Sequence, residues 1–325
     1  MKIAVVGCGA VGSYYGAQLL RAGEDVHFLL RTDYDVVRAR GVRIRNPEGE
    51  FTVRPASARL PEEIGPVDLV LIGLKSTAND QFQQLLPPLL GATTAVLTLQ
   101  NGLGNEEALS RIVPVERILG GLCFVCLNRV EPGVILHLGY GMVMLGEFER
   151  APQARTRDLA ERFGRARVHC RVADDLARAH WEKLVWNIPF NGLGVAAAAG
   201  HEAVGGSGPE IRLPDPIGPC LTTDALLADG RWEGLVRELM LEVVRSARAL
   251  GFDLSDELAE KQLARTRTMG AYKASTLIDF ERGLPLELEA MFEEPLRRIH
   301  RRGLSAPRLE RLCFVLKELT RRKTG

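Results

Sequence analysis

The first hundred residues alternate short apolar runs with longer segments in which apolar positions recur at helical spacing. The runs are apolar almost throughout, which is typical of strands that a parallel sheet buries on both faces. The alternation therefore predicts a doubly wound α/β domain. The predicted strands are residues 2–6, 25–30, 68–74 and 95–99, and the predicted helices are residues 11–22 and 77–90, the second interrupted near Pro87 and Pro88.

The pattern changes in the second half of the chain. Strand-like runs continue between residues 118 and 147 and are expected to extend the sheet. From about residue 172 onward, long segments have helical spacing, so we predict an α/β domain over residues 1–171 and an all-helical domain over 172–325. Turns are predicted at 131–133 and 139–141, helices at 173–199, 222–250, 256–268 and 287–302, and a Gly- and Pro-rich loop at 203–219.

The composition is that of an ordinary globular protein, with 46% hydrophobic and 26% charged residues. A chain of 325 residues exceeds the usual size of a single core, which agrees with two domains. A formal net charge of +1 gives no overall field that would attract nucleic acid or an anionic membrane. The arginine clusters near the C-terminus are interleaved with acidic residues, so we expect neither a nucleic-acid nor a membrane partner.

No segment approaches the roughly 18 to 20 apolar residues that span a bilayer. The apolar run at residues 3–6 is too short for a secretory signal, so we expect a cytoplasmic protein. In that reducing compartment its six scattered cysteines are expected to be free thiols. Cys123 and Cys126 have the spacing of a metal or redox pair, but no second pair or histidine lies nearby, so buried structural thiols are favoured and no metal is expected.

A glycine-rich turn joins the first predicted strand to the first predicted helix. Its sequence is Gly7, Cys8, Gly9, Ala10, Val11, Gly12. In such a βαβ context the first glycine permits a tight turn, the second lets the backbone approach a pyrophosphate, and the third allows close packing of helix on strand. The N-terminus of the helix offers N–H groups to the phosphates. The turn therefore predicts a dinucleotide site, with a purely structural turn as the alternative.

Three polar positions follow other predicted strands at the same edge of the sheet. Arg31 stands where an NAD site usually carries an acidic residue, and a guanidinium suits a 2′-phosphate, so it predicts NADP, with Asp33 as the rival ribose contact. Lys75 is a second candidate phosphate contact, or else an exposed loop lysine. Asn101, in Gln100-Asn101-Gly102, is placed to meet a nicotinamide or substrate, or else belongs to a plain Asn-Gly turn.

A polar stripe marks the predicted helix at residues 173–199. Lys183, Asn187 and Asn191 recur at i, i+4 and i+8, which places them on one face of an otherwise apolar helix. Burying a lysine and two amides without partners would cost several kcal/mol, so a ligand is the favoured explanation. The alternative is a solvated stripe in which Lys183 pairs with a carboxylate. Pro189 is expected to distort the helix, and His180 is expected to be structural.

These motifs together resemble the ketopantoate reductase (2-dehydropantoate 2-reductase) family along nearly the whole chain. The matching segments are residues 7–12, Lys75, Asn101-Gly102, residues 181–191, and residues 272–279 followed by Glu287. The resemblance implies a Rossmann domain and a helical domain resembling that of 6-phosphogluconate dehydrogenase. It also implies NADPH-dependent reduction of ketopantoate to pantoate, a step of pantothenate and coenzyme A biosynthesis.

The resemblance also implies roles for individual residues. Lys183 would be the general acid and Glu287 its catalytic partner, while Asn187, Asn191 and Ser275 would bind the substrate, Ser275 near its carboxylate. Asn101 would lie beside nicotinamide and substrate, and Arg31 and Lys75 would contact the NADP phosphate. Hydride addition to a ketone develops negative charge on oxygen, which an ammonium both stabilises and protonates.

Two segments depart from the family pattern. Where the family usually has an Asn-Gly pair after the glutamate, this chain has residues 291–295, Met-Phe-Glu-Glu-Pro. The stretch 203–219 looks like an insertion beside a usual pocket position, with His201 nearby. The alternatives are therefore a paralogous NADPH-dependent reductase of another 2-oxo or 3-oxo acid, and a non-catalytic NADPH-binding regulatory protein. The intact polar set argues against the latter, and a homodimer is left open.

Overall fold

The computed structural model describes residues 1–206, 211 and 213–324. The predicted loop at 203–219 therefore lies partly outside the described residues, at 207–210 and 212. Backbone contacts divide the chain into two compact units, Met1–Ala177 and Arg178–Gly325.

A mixed ten-stranded sheet forms the centre of the first unit, in the order β4-β3-β9-β8-β7-β6-β1-β2-β5, with β10 paired to β9. Only the β3–β4 and β8–β9 pairs are antiparallel. The strands are β1 (Lys2–Val6), β2 (Asp25–Leu29), β3 (Val42–Asn46), β4 (Gly49–Val53), β5 (Ala56–Ala58), β6 (Val67–Ile72), β7 (Leu90–Thr98), β8 (Ile118–Glu131), β9 (Val134–Glu147) and β10 (Cys170–Val172).

Helices cover both faces of this sheet. They are α1 (Ala10–Arg21), α2 (Tyr34–Arg40), α3 (Phe82–Leu85), α4 (Asn105–Leu109) and α5 (Ala154–Arg165), with short 3₁₀ turns at Pro61–Glu63, Ser76–Gln81, Pro87–Leu89 and Val115–Arg117.

Alternating side chains of the central strands enter two separate cores. Ile3 and Val5 of β1 pack with residues of α1 and α5, whereas Ala4 and Val6 pack with Phe82 and other residues on the opposite face. This two-sided burial explains why the central strands are apolar almost throughout. The predicted doubly wound α/β domain is confirmed.

Two predicted features of this unit are wrong in detail. Residues 77–90 form mainly 3₁₀ turns around the four-residue α3, and Leu90 already begins β7. Pro87 and Pro88 lack N–H donors and restrict the residue before them, so a continuous helix cannot form.

The predicted turn at 139–141 is instead a bulge inside β9. Tyr140 has φ 61° there, and His137 Nε2 lies 3.0 Å from its carbonyl oxygen. The β8–β9 hairpin turns at residues 131–133, as predicted, where Gly133 has φ 70°. The sequence patterns did not predict β3, β4 and β5, which are short and partly polar.

The second unit is helical over its described residues, as predicted. Its helices are α6 (Leu176–Ala196), α7 (His201–Gly205), α8 (Thr223–Ala228), α9 (Gly230–Ala249), α10 (Glu257–Thr266), α11 (Ser275–Glu281), α12 (Glu294–Arg301) and α13 (Pro307–Thr324), with a 3₁₀ turn at Ala197–Ala199 and a π-helical turn at Glu289–Glu293. The first two residues of α6 belong to the first unit.

The single helix predicted at 222–250 is divided at Asp229. Its side chain accepts a hydrogen bond from the Arg231 N–H at 2.8 Å, which caps a new helix instead of continuing the old one. The sequence patterns also did not predict α13, although Leu309, Leu312 and Leu316 are fully buried on it.

All six cysteines are free thiols, as predicted. In the described ranges, no three His, Cys, Asp or Glu side chains are grouped closely enough to hold a metal ion. Among those same residues, none of the helices has both the length and the apolar character needed to span a bilayer.

Candidate active site

The glycine turn after β1 packs directly against the turn after β6. Gly7 has φ 92°, and a Cβ on it would overlap the Leu74 backbone. A Cβ on Gly73 would lie 2.8 Å from the backbone nitrogen of Gly12. Gly7, Gly12 and Gly73 are therefore required by the protein itself, because any side chain there would separate two adjacent strand ends.

Gly9 is different, because nothing in the protein explains its missing side chain. Its backbone has φ −73° and ψ −155°, which other residues also adopt. The nearest atom to an added Cβ would be the Gly73 carbonyl oxygen, at 4.0 Å. Gly9 also stands immediately before α1, whose first turn carries no acidic residue. This open space beside uncapped N–H groups fits a bound pyrophosphate.

Cys8, between the two glycines, is a packing residue. Its thiol lies 3.5 Å from the carbonyl oxygens of Val5 and Leu29. Burial, and secondarily the negative charge of Asp33, raise the pKa of the Cys8 thiol far above its ordinary value. The thiol is therefore held neutral and unreactive.

The two candidate ribose contacts after β2 have opposite surroundings. Asp33 is 6% exposed and accepts hydrogen bonds from Arg129 Nε, at 2.9 Å, and from the Gly133 N–H, at 3.2 Å. Arg31 is exposed and forms no hydrogen bond or ion pair with any residue that the structure describes. The acidic group is thus committed to the β8–β9 hairpin, and the cationic group remains available to a ligand.

Lys75 and Asn101 follow β6 and β7, which are adjacent parallel strands. Lys75 is exposed and immediately precedes the 3₁₀ turn Ser76–Gln81. Asn101 is half-buried and is followed by Gly102, which has φ 86°. The fold therefore brings both predicted residues to the carboxyl edge where open α/β sheets bind ligands.

A chain of amide hydrogen bonds connects these two strand ends. Gln100 Nε2 donates to Asn79 Oδ1 at 2.7 Å, and Asn79 Nδ2 donates to Asn105 Oδ1 at 3.0 Å. Asn105 Nδ2 then donates to the Asn101 carbonyl oxygen at 3.0 Å. Because Asn105 is 1% exposed, water cannot easily replace these bonds, and the Asn101 turn is held firmly.

The sequence patterns did not predict the roles of Asn79 and Asn105. Their signal was available, since Asn105 opens a helix four residues after Asn101 and Asn79 lies four residues after Lys75. Nothing local, however, indicates that two such amides bond to each other.

In the second unit, α6 carries the predicted polar stripe. The helix continues through Pro189, with Lys183 half-buried and Asn187 only 6% exposed. In the described part of the chain no side chain or backbone group hydrogen-bonds to the Asn187 amide. Its polar atoms are nevertheless not fully enclosed, so they stay accessible to solvent and can bind a ligand from that side.

Asn191 has a different environment from Asn187. Its Oδ1 accepts from Ser275 Oγ at 3.2 Å, from the Thr276 N–H at 3.1 Å and from Thr276 Oγ1 at 3.0 Å. The side-chain oxygen of Asn191 therefore caps the N-terminus of α11 and holds Ser275 beside α6. Its Nδ2 group donates to no residue in the described ranges, so its two N–H donors are left for a ligand.

Glu287 is 7% exposed and lies just before the helical segment that begins at Leu288. That segment opens as the π-helical turn Glu289–Glu293 and becomes α12 at Glu294, with Pro295 in its first turn. A π-helical turn of this kind is often found at functional sites.

Two histidines lie near these segments. His180 is buried on α6. His201 packs edge-on against Trp232, with ring centroids 5.0 Å apart, and its Nε2 lies 3.3 Å from the Arg231 carbonyl oxygen.

Comparison with known proteins gives a consistent result over the whole chain. A family model described as ketopantoate reductase PanE/ApbA matches residues 3–150, and the model of that family's C-terminal part matches residues 219–320. A 2-dehydropantoate 2-reductase of Nostoc sp. is 37% identical, and the match covers 100% of this chain and 97% of the relative.

Solved structures of similar proteins indicate the same family. The crystal structure of 2-dehydropantoate 2-reductase from Geobacter metallireducens is 45% identical, covers 98% of this chain and 99% of its own, and has a TM-score of 0.89. The enzyme from Methylococcus capsulatus is 32% identical with a TM-score of 0.86, covering 100% of this chain and 98% of its own. On the two family-model matches and the full-length relatives, this chain belongs to the ketopantoate reductase PanE/ApbA family.

Proposed function

We propose that this protein reduces 2-dehydropantoate (ketopantoate) to pantoate with NADPH, and that Lys183 is the general acid. The observation that carries the proposal is the Asn187 amide, which has no hydrogen-bond partner in the described chain, keeps its polar atoms accessible to solvent and lies one helical turn from Lys183. The names of the full-length relatives support the substrate. The product would enter pantothenate and coenzyme A biosynthesis.

We assign binding of the cofactor to residues 1–171 and binding of the substrate to residues 172–325. Gly9 and the N-terminus of α1 would hold the pyrophosphate, and Arg31 and Lys75 would hold the additional phosphate of NADP. Asn101, fixed through its carbonyl by Asn105, would contact the nicotinamide and the substrate.

The chain's own residues perform the acid–base part of the reaction. When bound, the reduced nicotinamide supplies a hydride to the carbonyl carbon. The Lys183 ammonium stabilises the negative charge that develops on the ketone oxygen and transfers a proton to it, which gives the alcohol and leaves a neutral amine that solvent reprotonates.

The remaining polar groups would orient the 2-oxo acid. The Asn187 amide and the Asn191 Nδ2 group offer hydrogen bonds to substrate oxygens, and Ser275 would meet the carboxylate. Glu287 would bind the substrate hydroxyl and favour the charged form of Lys183.

The first test follows NADPH absorbance with ketopantoate and a panel of other 2-oxo and 3-oxo acids. Lys183→Ala should lower kcat by about 10²- to 10⁴-fold, the usual contribution of a general acid. Lys261→Ala is the matched control, because Lys261 is exposed and pairs only with Glu257 on its own helix. Unimpaired turnover by Lys183→Ala would contradict the proposed acid.

The same assay tests substrate and cofactor. Because the π-helical turn follows Glu287 directly, a paralogous substrate is the specific alternative, and much faster turnover of another oxo acid would establish it. For the cofactor, wild type should prefer NADPH to NADH, and Arg31→Ala should reduce that preference. Equal use of both cofactors by wild type would contradict the assignment of NADP.

A further inference from the structure

A second arginine, Arg59, lies at the carboxyl edge of the sheet, after the strand that neighbours the one preceding Arg31. Strand β5 pairs in parallel with β2, and the Leu30 N–H donates to the Ala58 carbonyl oxygen at 2.9 Å. Arg31 and Arg59 each follow one residue after that hydrogen bond. The two side chains therefore leave neighbouring strand ends at the same carboxyl edge.

The Arg59 side chain is held in place by its neighbours. Its guanidinium lies over the Tyr34 ring, 4.2 Å from the centroid, and its Nη2 donates to Asp35 at 2.8 Å. The Glu63 carboxylate accepts from the N–H groups of Arg59, at 3.3 Å, and Leu60, at 3.2 Å, which fixes the turn. An arginine held in this way loses little conformational entropy when it binds a ligand.

Arg59 keeps unused hydrogen-bonding capacity. Its side chain is 51% exposed, and within the described ranges its Nε and Nη1 groups donate to no acceptor. Asp35 offsets part of its charge but is itself 83% exposed and therefore well solvated. Because Arg129 neutralises Asp33, that carboxylate does not offset the charges of Arg31 and Arg59 at the ends of β2 and β5.

We infer that Arg59 is a further cation of the subsite for the 2′-phosphate of the cofactor, beside Arg31 and Lys75, and so contributes to cofactor specificity. This inference rests on the proposed use of NADPH. A phosphate monoester carries close to two negative charges and three acceptor oxygens at neutral pH, so it can accept hydrogen bonds from more than two cationic side chains. The Nε and Nη1 groups of Arg59 offer such hydrogen bonds from the strand end next to that of Arg31, and NADH has no equivalent acceptor.

The test compares the dissociation constants of NADPH and NADH by calorimetry for wild type and Arg59→Met. Methionine keeps an aliphatic side chain over Tyr34 and removes the charge. The NADPH constant should rise about tenfold, as expected for loss of a charge-assisted phosphate contact, while the NADH constant changes less than twofold. Arg59→Lys should recover part of the selectivity, since it restores the charge without the planar donors.

Two variants control for indirect effects. Arg40→Met removes an exposed arginine at the end of α2 that has no ion pair within the described residues, and Leu60→Ala alters the same turn without changing its charge. Both should leave the ratio of the two constants unchanged.

The two sets of dissociation constants distinguish an error in the role of Arg59 from an error in the proposed use of NADPH. A wild type that prefers NADPH, combined with an unchanged ratio in Arg59→Met, overturns the role of Arg59 and leaves the proposed function standing. Equal weakening of both cofactors by Arg59→Met also overturns it, because that result indicates a general distortion. Equal binding of both cofactors by wild type refutes the NADP assignment, and the inference falls with it.

Discussion

Replacing Gly9 by alanine should separate the needs of the fold from those of the ligand. The backbone at Gly9 has φ −73° and ψ −155°, and an added Cβ would be 4.0 Å from its nearest protein neighbour, the Gly73 oxygen. Alanine therefore fits without strain and reduces the entropy of the unfolded chain. Gly9→Ala should stabilise the cofactor-free protein by about 0.4–1 kcal/mol, which for a unit of this size raises the unfolding temperature by about 1–4 °C.

The same methyl group should damage cofactor binding. It occupies the open space at the N-terminus of α1, where the backbone must approach the pyrophosphate closely. The dissociation constant for NADPH should rise at least about tenfold, equivalent to about 1.4 kcal/mol. Calorimetry with NADPH and thermal unfolding without it measure the two effects independently.

Two other glycines provide controls. Gly164 lies exposed on α5 with no atom near an added Cβ, so Gly164→Ala should stabilise the protein without changing NADPH affinity. At Gly12 a Cβ would overlap the Gly7 carbonyl oxygen, so Gly12→Ala should destabilise the fold by about 1–3 kcal/mol. The reasoning is refuted if Gly9→Ala lowers the unfolding temperature, or if it binds NADPH as tightly as wild type.

Three further predictions concern the supports of the site. Burial raises the pKa of the Cys8 thiol, so this thiol should resist alkylation at pH 8 in the folded protein and react only on unfolding. Rapid labelling of the folded protein would show that the turn is open. Asn105→Asp should lower the free energy of unfolding by about 1–3 kcal/mol in urea titrations, because a carboxylate oxygen would face the Asn101 carbonyl oxygen. An unchanged free energy of unfolding would mean that this hydrogen bond does not hold the turn. Burial alone would raise the pKa of Glu294, but hydrogen bonds from Arg298 and Arg297 outweigh it and lower that pKa. Its stabilising contribution should therefore be complete above about pH 5 and be lost as pH falls through the lowered pKa. The stability difference between wild type and Glu294→Gln should accordingly shrink between pH 7 and pH 3, and a constant difference would contradict the assigned cause.

Local patterns were sufficient wherever the structure depends on neighbours in sequence. The turn from Gly7 to Gly12, the central strands and the helix carrying Lys183 all follow from backbone geometry and from the period with which side chains are buried. The patterns were insufficient where a polar side chain forms a hydrogen bond that ends or begins a helix. Asp229 divides a predicted helix because its side chain caps the next one.

Whether a polar site residue has a partner within the protein depended on contacts between segments that are distant in the sequence. Asp33 and Arg31 are two residues apart and similar as ribose candidates in the sequence, but Asp33 is bound by Arg129, 96 residues further along the chain. Asn187 and Asn191 likewise share one helix face, but α11 engages only Asn191.

Residue order alone was enough to predict a glycine-rich turn after the first strand, an α/β part followed by a helical part, and a polar stripe with a lysine. Tertiary structure alone decided which of the polar groups remain available to a ligand, because a hydrogen bond requires two partners at about 3 Å and only folding brings them together. It separated the structural carboxylate of Asp33 from the available cation of Arg31. It also placed Arg59 beside Arg31, through a pairing of β2 with β5 that no local pattern predicts.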